Sequence, residues 1–188
     1  MFPVNMPNVL TVFRILLVPV LVVALLDATP SGDLLAGIVF VVASLTDLLD
    51  GYLARTRNAV TTFGKLMDPI ADKLLIIAAL VALVSLDRLA AWVAMVIIAR
   101  EFAVTAMRMA AGAQGVVIEA SMFGKAKTCL QIAMVLALIA AGEESPLWLD
   151  VLVDATVVVT VASGVDYFLG MRRRLGERDR DQAAADAT

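Results

Sequence analysis

The chain contains no histidine, which removes the commonest side-chain base near neutral pH and the commonest transition-metal ligand. Its single cysteine, Cys129, excludes an internal disulfide, and the surrounding apolar run predicts a small buried hydrophobe there. Charge is also scarce: 18% of the 188 residues are charged, against roughly 25% in soluble domains. No block of basic residues suggests a nucleic-acid partner. The small acidic excess, a net charge of -3 and a pI near 4.9, comes largely from loops and the tail and says little about partners.

What the chain does have is apolar surface. Apolar residues make up 61% and the mean hydropathy is +0.91, well above the roughly 45–50% apolar of soluble chains. This composition predicts an all-α integral membrane protein. A bilayer core needs about 20 apolar residues per helix, and that length, with the Pro, Gly and charge interruptions, predicts six spans: 8–27, 33–55, 66–86, 88–111, 121–141 and 147–171. Residues 1–171 therefore read as one six-transmembrane-helix bundle. Residues 172–188 read as a polar cytoplasmic tail, frayed or disordered, because mixed charges and small residues there lack apolar periodicity. The first span lacks a basic leader and carries Arg14 and Pro19, so it reads as a spanning helix, not a secretory signal.

Lys and Arg favour cytoplasmic loops. With the N-terminus inside, Arg55, Arg57, Lys65, Lys73, Arg108, Lys125, Lys127 and the basic residues 172–174 fall on or near the inner face, and Arg88 alone falls outside. Both termini are then expected in the cytoplasm, with the chain multi-pass in the inner (plasma) membrane.

Against that background the stretch "DLLDGYLARTRNAVTTFGKLMDPIADKLL", residues 47–75, stands out. Asp47 and Asp50 are three apart, Asp68 and Asp72 four apart, so each pair shares one face of its helix. Unpaired anions in a membrane domain cost about 2.5–3.5 kcal/mol each even on a lenient scale, and four together repel. A divalent cation resolves both problems, and an all-carboxylate set suits Mg²⁺, Mn²⁺ or Ca²⁺ better than zinc or copper. Gly51, Ala54 and Gly64 leave room for a bulky ligand, and Arg55 adds a donor fork suited to phosphate. Metal ions with an arginine form an electrostatic clamp for phosphoryl displacement. Singly, these residues could cap a helix, pack small against a neighbour or snorkel. Capping does not require a second carboxylate pair on the following span.

The run Asp47-x-x-Asp50-Gly51-x-x-Ala54-Arg55, eight residues, then Gly64-x-x-x-Asp68-x-x-x-Asp72 resembles the complete signature of the CDP-alcohol phosphotransferases. The resemblance implies six transmembrane helices, a homodimer, a dinuclear site for Mg²⁺ or Mn²⁺ at the cytoplasmic surface, and attack of an alcohol on a CDP-linked phosphate with CMP leaving. It implies that Asp47, Asp50 and Asp68 ligate metal, and that Asp72 lies at the metals and acts as base. Gly51, Ala54, Arg55, Thr61 and Gly64 would line the CDP-diacylglycerol head.

The opening "NMPNVLTVFRILLVPV", with Pro7, Asn8, Thr11 and Arg14, resembles that of the bacterial phosphatidylglycerolphosphate synthases of this family, as do "DPIADKLL", "AREFAVTAMRMAAGAQGVVIEAS" and "FGKAKTCLQ". This adds Asn8 and Thr11 to the nucleotide site and implies sn-glycerol 3-phosphate as acceptor. Arg108, Lys125 and Lys127 gather near the inner ends of spans four and five, where a dianionic phosphate needs charge-assisted donors. Ordinary positive-inside anchoring is the other reading of the two lysines, and Glu101 is expected in an internal ion pair. Inositol phosphate, serine, or phosphatidylglycerol giving cardiolipin remain alternative acceptors. An intramembrane prenyltransferase would space its aspartate segments further apart, and a divalent-cation transporter would need polar groups through the full membrane thickness. Asp150, Asp154 and Asp166 on the last span form no such route.

Overall fold

The structure, a computed structural model, describes the backbone of residues 6–57, 62–113, 122–144 and 146–185, with side chains over 9–46, 73–113, 124–144 and 146–174. Among these residues lie six helices and no strand: α1 (Met6–Leu26), α2 (Pro30–Arg57), α3 (Thr62–Ser85), α4 (Ala91–Ala113), α5 (Met122–Ala141) and α6 (Leu147–Ala185). The last helix continues without a break from its apolar segment into the polar residues beyond 171.

Local chemistry sets the helix ends. Thr29 caps α2, its Oγ1 accepting from the Gly32 N–H at 3.1 Å while donating to Asp27 Oδ2 at 2.6 Å. Pro30 follows at the first helical position, where its missing N–H costs nothing. The α1–α2 hairpin closes tightly enough that a Cβ on Gly32 would stand 2.6 Å from the Ala24 carbonyl oxygen. Only glycine fits there. Asp87, at φ 57°, turns the chain between α3 and α4.

The helices pack as two sets. α1 lies against α2 and α3, α6 lies against α4 and α5, and α2–α5, α3–α4 and α3–α5 contacts join the sets. On α1 the buried stripe is Thr11, Arg14, Val18, Leu21 and Leu25, a three-four repeat that keeps one face inward. On α5 it is Lys127, Gln131, Met134, Val135, Leu138 and Ile139. Cys129 falls roughly opposite that stripe and is exposed, contrary to the buried position expected for it.

The surface is apolar as well as the core, and some polar side chains are turned inward. Leu16, Val23 and Met95 are 62–70% exposed, whereas Arg14, Lys127, Gln131, Thr156, Thr160 and Ser163 are buried. A surface this apolar is solvated by lipid. Among the described residues three helices contain stretches long and apolar enough to cross a membrane, Val9–Leu26, Gly124–Ala141 and Leu147–Arg174. In α2 and α3 the described apolar stretches are the shorter Pro30–Thr46 and Lys73–Ser85, bordering the aspartate segment. Every 18-residue stretch of α4 contains Arg100, Glu101 and Arg108. The charges that shorten these apolar stretches are those from which a site can be built.

One end of the bundle is closed by a junction of three elements. Arg88 Nη1, after α3, donates to Asp33 Oδ1 at 2.6 Å in the first turn of α2. A Cβ on Gly142, after α5, would meet Asp33 Oδ2 at 3.5 Å. Beside this junction opens a cavity of about 1100 Å³, walled by Leu34, Ile38, Leu136 and Ile139. Because the start of α2 and the ends of α3 and α5 meet here, the end of α2 and the starts of α3 and α5 lie at the opposite end.

Candidate active site

At that opposite end, α2 carries Asp47, Asp50, Gly51, Ala54 and Arg55 in its last three turns, and α3 carries Gly64, Asp68 and Asp72 in its first three. Their side chains lie outside the described residues, as does Thr61 entirely. Asn8 lies in the first turn of α1, its side chain also outside them. The backbone supplies the helices that the spacing argument requires: on an α-helix, positions three or four apart share a face. Residues 58–61 alone separate the two helices, so Asp50 and Asp68 each stand about 10 Å along a helix from one connection. The residue types at these positions, four carboxylates in a chain with no histidine, are those that a hard divalent cation prefers. Among the residues whose side chains are described, no group of three or more carboxylate or thiol side chains is placed to hold a metal ion.

The neighbouring helix α1 contributes polar groups to the same half of the bundle. Thr11 and Arg14 are 2% and 1% exposed on the face packed against α2 and α3, and both are engaged. Thr11 is one of the expected nucleotide residues. Arg14, the only charge in α1, is a buried cation that sequence reasoning noted without assigning a role. Its signal was that isolation, since a charge kept inside a membrane helix is expensive unless it has a use.

The other half holds a polar seam where α4, α5 and α6 meet. Along α6, Thr156, Thr160, Ser163 and Tyr167 are buried at spacings of four, three and four. Gln131 Nε2 of α5 donates to Thr160 Oγ1 at 3.4 Å. One turn further, Arg100 Nη2 of α4 donates to Ser163 Oγ at 2.9 Å, and Ser163 donates to the Thr160 carbonyl at 3.0 Å. The Arg100 stem fits because Gly164 has no side chain: a Cβ there would stand 3.3 Å from Arg100 Cγ. Glu101 Oε1 accepts from Arg100 Nη1 at 3.3 Å and from Lys127 Nζ of α5, so the expected internal ion pair is present. Arg108, two turns beyond Glu101, lies over the Tyr167 ring, 5.8 Å from its centroid.

The three cations expected to bind an acceptor phosphate are therefore placed differently. Lys127 is buried and committed to Glu101, whereas Arg108 and Lys125 are exposed. Lys73, the residue after Asp72, stands on α3, which packs against α5. Sequence reasoning passed over the α6 hydroxyls, although their four-three-four spacing on an apolar span marked an inward polar stripe.

Comparison with known proteins gives a consistent result. The family model described as CDP-alcohol phosphatidyltransferase matches residues 4–165. The chain is 42% identical over 180 residues to the CDP-diacylglycerol–glycerol-3-phosphate 3-phosphatidyltransferase of Bacillus subtilis, covering 87% of this chain and 93% of that protein. It is 36% identical over 174 residues to the protein of the same name from Rickettsia felis, covering 90% and 96%. It is 39% identical over 177 residues to a probable phosphatidylglycerophosphate synthase of Mycobacterium tuberculosis, covering 92% and 84%.

Proposed function

We propose that this chain, which belongs to the CDP-alcohol phosphatidyltransferase family, transfers the phosphatidyl group of CDP-diacylglycerol to sn-glycerol 3-phosphate, releasing CMP and forming phosphatidylglycerol phosphate. The observation that carries this reading is positional. The aspartate-bearing ends of α2 and α3 lie at the same end of the bundle as the start of α5, where Lys125 is exposed beside the seam that holds Arg108. That common end is what supports a donor clamp and an acceptor cradle working together. The names of the relatives over nearly full length support the same acceptor.

Asp47, Asp50, Asp68 and Asp72 would hold Mg²⁺ or Mn²⁺, about two ions, which when bound supplies charge neutralisation to the pyrophosphate and the departing CMP. Asn8 and Thr11 of α1 bind the cytidine. Gly51, Ala54, Thr61 and Gly64 admit the diphosphate close to the backbone, and Arg55 donates to it. Arg108 and Lys125 take the acceptor phosphate, with Lys127 acting from behind through its fixed charge. Asp72 receives the proton of the attacking glycerol hydroxyl as its oxygen bonds to the phosphorus bearing diacylglycerol and the bond to CMP breaks. A free carboxylate near pKa 4 is a weak base for an alcohol, so the proton moves only as the new bond forms.

The placement also divides the substrates. The donor's acyl chains stay in lipid while its head enters between helices, and the acceptor arrives from water. The charge bias along the chain puts this end at the cytoplasmic face of the inner membrane, with residues 172–188 as a cytoplasmic extension, and the working unit is a homodimer. The test is an acceptor panel: purified protein with CDP-diacylglycerol, Mg²⁺ or Mn²⁺, and glycerol 3-phosphate, inositol phosphate, serine or phosphatidylglycerol in turn. CMP release with glycerol 3-phosphate is expected. Release only with another acceptor, or cation flux without CMP release, would contradict the reading.

A further inference from the structure

Tyr167 is 6% exposed, and its hydroxyl is buried without a hydrogen-bond partner among the described residues. Buried polar groups in native structures are nearly always paired, so an exception asks for an explanation. Packing does not supply one, because phenylalanine would fill the same space with no hydroxyl to desolvate. The rest of the polar stripe on α6 is satisfied: Thr156 donates to the Leu152 carbonyl, Thr160 accepts from Gln131, and Ser163 bridges Arg100 and the Thr160 carbonyl. Tyr167 is the member of the stripe furthest toward the aspartate end.

Its neighbour indicates the chemistry of that ligand. The Arg108 guanidinium rests over the Tyr167 ring, exposed, with its N–H donors in no hydrogen bond or ion pair among the described residues. Stacking on an aromatic face fixes the plane of an arginine while leaving its donor fork open, the arrangement that suits a bidentate oxyanion. Two turns deeper along α4, Arg100 and Lys127 share the single carboxylate of Glu101, leaving a surplus of positive charge on the same seam. A neutral polyol could accept hydrogen bonds here but would leave the surplus positive charge unbalanced, whereas a dianionic phosphate can do both.

We propose that Tyr167 is a specificity-determining residue for the acceptor: its ring presents the Arg108 guanidinium, and its hydroxyl donates a hydrogen bond to the acceptor phosphate held there. The inference rests on the acceptor reading given above and adds the residue that enforces it. Among the described residues the hydroxyl has no acceptor, and a bound phosphate would supply one. Binding recovers a cost that the folded protein otherwise carries.

Tyr167→Phe removes the hydroxyl alone and separates this from a packing role, with thermal stability and steady-state kinetics read on the same preparation. The KM for glycerol 3-phosphate is expected to rise about tenfold or more, the usual weight of a hydrogen bond to a charged group. The kcat and the KM for CDP-diacylglycerol should stay within about twofold, and the melting temperature should hold or rise, because an unsatisfied buried group has gone. Inorganic phosphate, used as a competitive inhibitor against glycerol 3-phosphate, should weaken by the same factor. An unchanged KM, or equal losses for both substrates with a lower melting temperature, would overturn the proposal, as would an unchanged inhibition constant for phosphate. The wild-type acceptor panel keeps the two readings apart, since failure to use glycerol 3-phosphate would remove the acceptor assignment whatever the variant does.

Discussion

Glu101 of α4 holds the Lys127 ammonium of α5, and the same carboxylate oxygen accepts from Arg100 at 3.3 Å. One anion therefore serves two cations at a three-helix seam, where their side chains are only 7–15% exposed. Removing the anion and removing one cation are not equivalent changes. The anion is the shared partner.

Glu101→Gln leaves both cations without counter-charge, whereas Lys127→Met leaves Glu101 still paired with Arg100. The first should cost more stability, on the order of 3–5 kcal/mol for a broken buried pair, and the second distinctly less. Melting temperatures of the two variants in the same detergent check the order. Equal losses would mean that Arg100 does not share the carboxylate.

At the other end, Asp33 and Arg88 form a buried pair about 20 Å along α2 from the aspartates. Asp33→Asn should lower stability by about 1–3 kcal/mol while leaving kcat within about twofold below the melting transition. A denaturation curve and a rate measured on one preparation suffice. A large fall in kcat at full folding would show that the junction governs the site.

Asp72→Asn keeps the shape of the side chain but removes its capacity to take a proton. Turnover should fall about 100-fold or more, with CDP-diacylglycerol binding retained within a few-fold, as measured by CMP release and by direct lipid binding. Substantial residual turnover would reassign the base.

Which features were readable in advance follows from physics. Helix number was readable because Pro30, the acidic hairpins and the charged connections interrupt apolar runs that membrane helices need continuous. The bounds of α6 were not, since a polar stretch such as 172–185 reads equally as helix or coil without periodicity. The aspartate pairs were readable because carboxylates in an apolar span are costly enough to demand a reason. An internal ion pair for Glu101 followed the same logic, but its partner did not, because Lys127 was expected at the acceptor phosphate and is instead paired with Glu101. Tyr167 escaped notice because an aromatic in an apolar span resembles any lipid-facing residue, and only the structure puts Arg108 over its ring. Cys129 was misplaced because an apolar neighbourhood in the chain does not say which face of α5 turns inward.

The central claim is that carboxylates from α2 and α3 share one set of divalent cations. Titration of Mn²⁺ into the purified protein, followed by the paramagnetic resonance of the free ion, tests it without relying on activity. Asp50→Asn, on α2, and Asp68→Asn, on α3, should each weaken binding by about tenfold or more, the loss expected when one charged ligand of a shared site is removed. Undiminished binding in either variant would contradict a shared site.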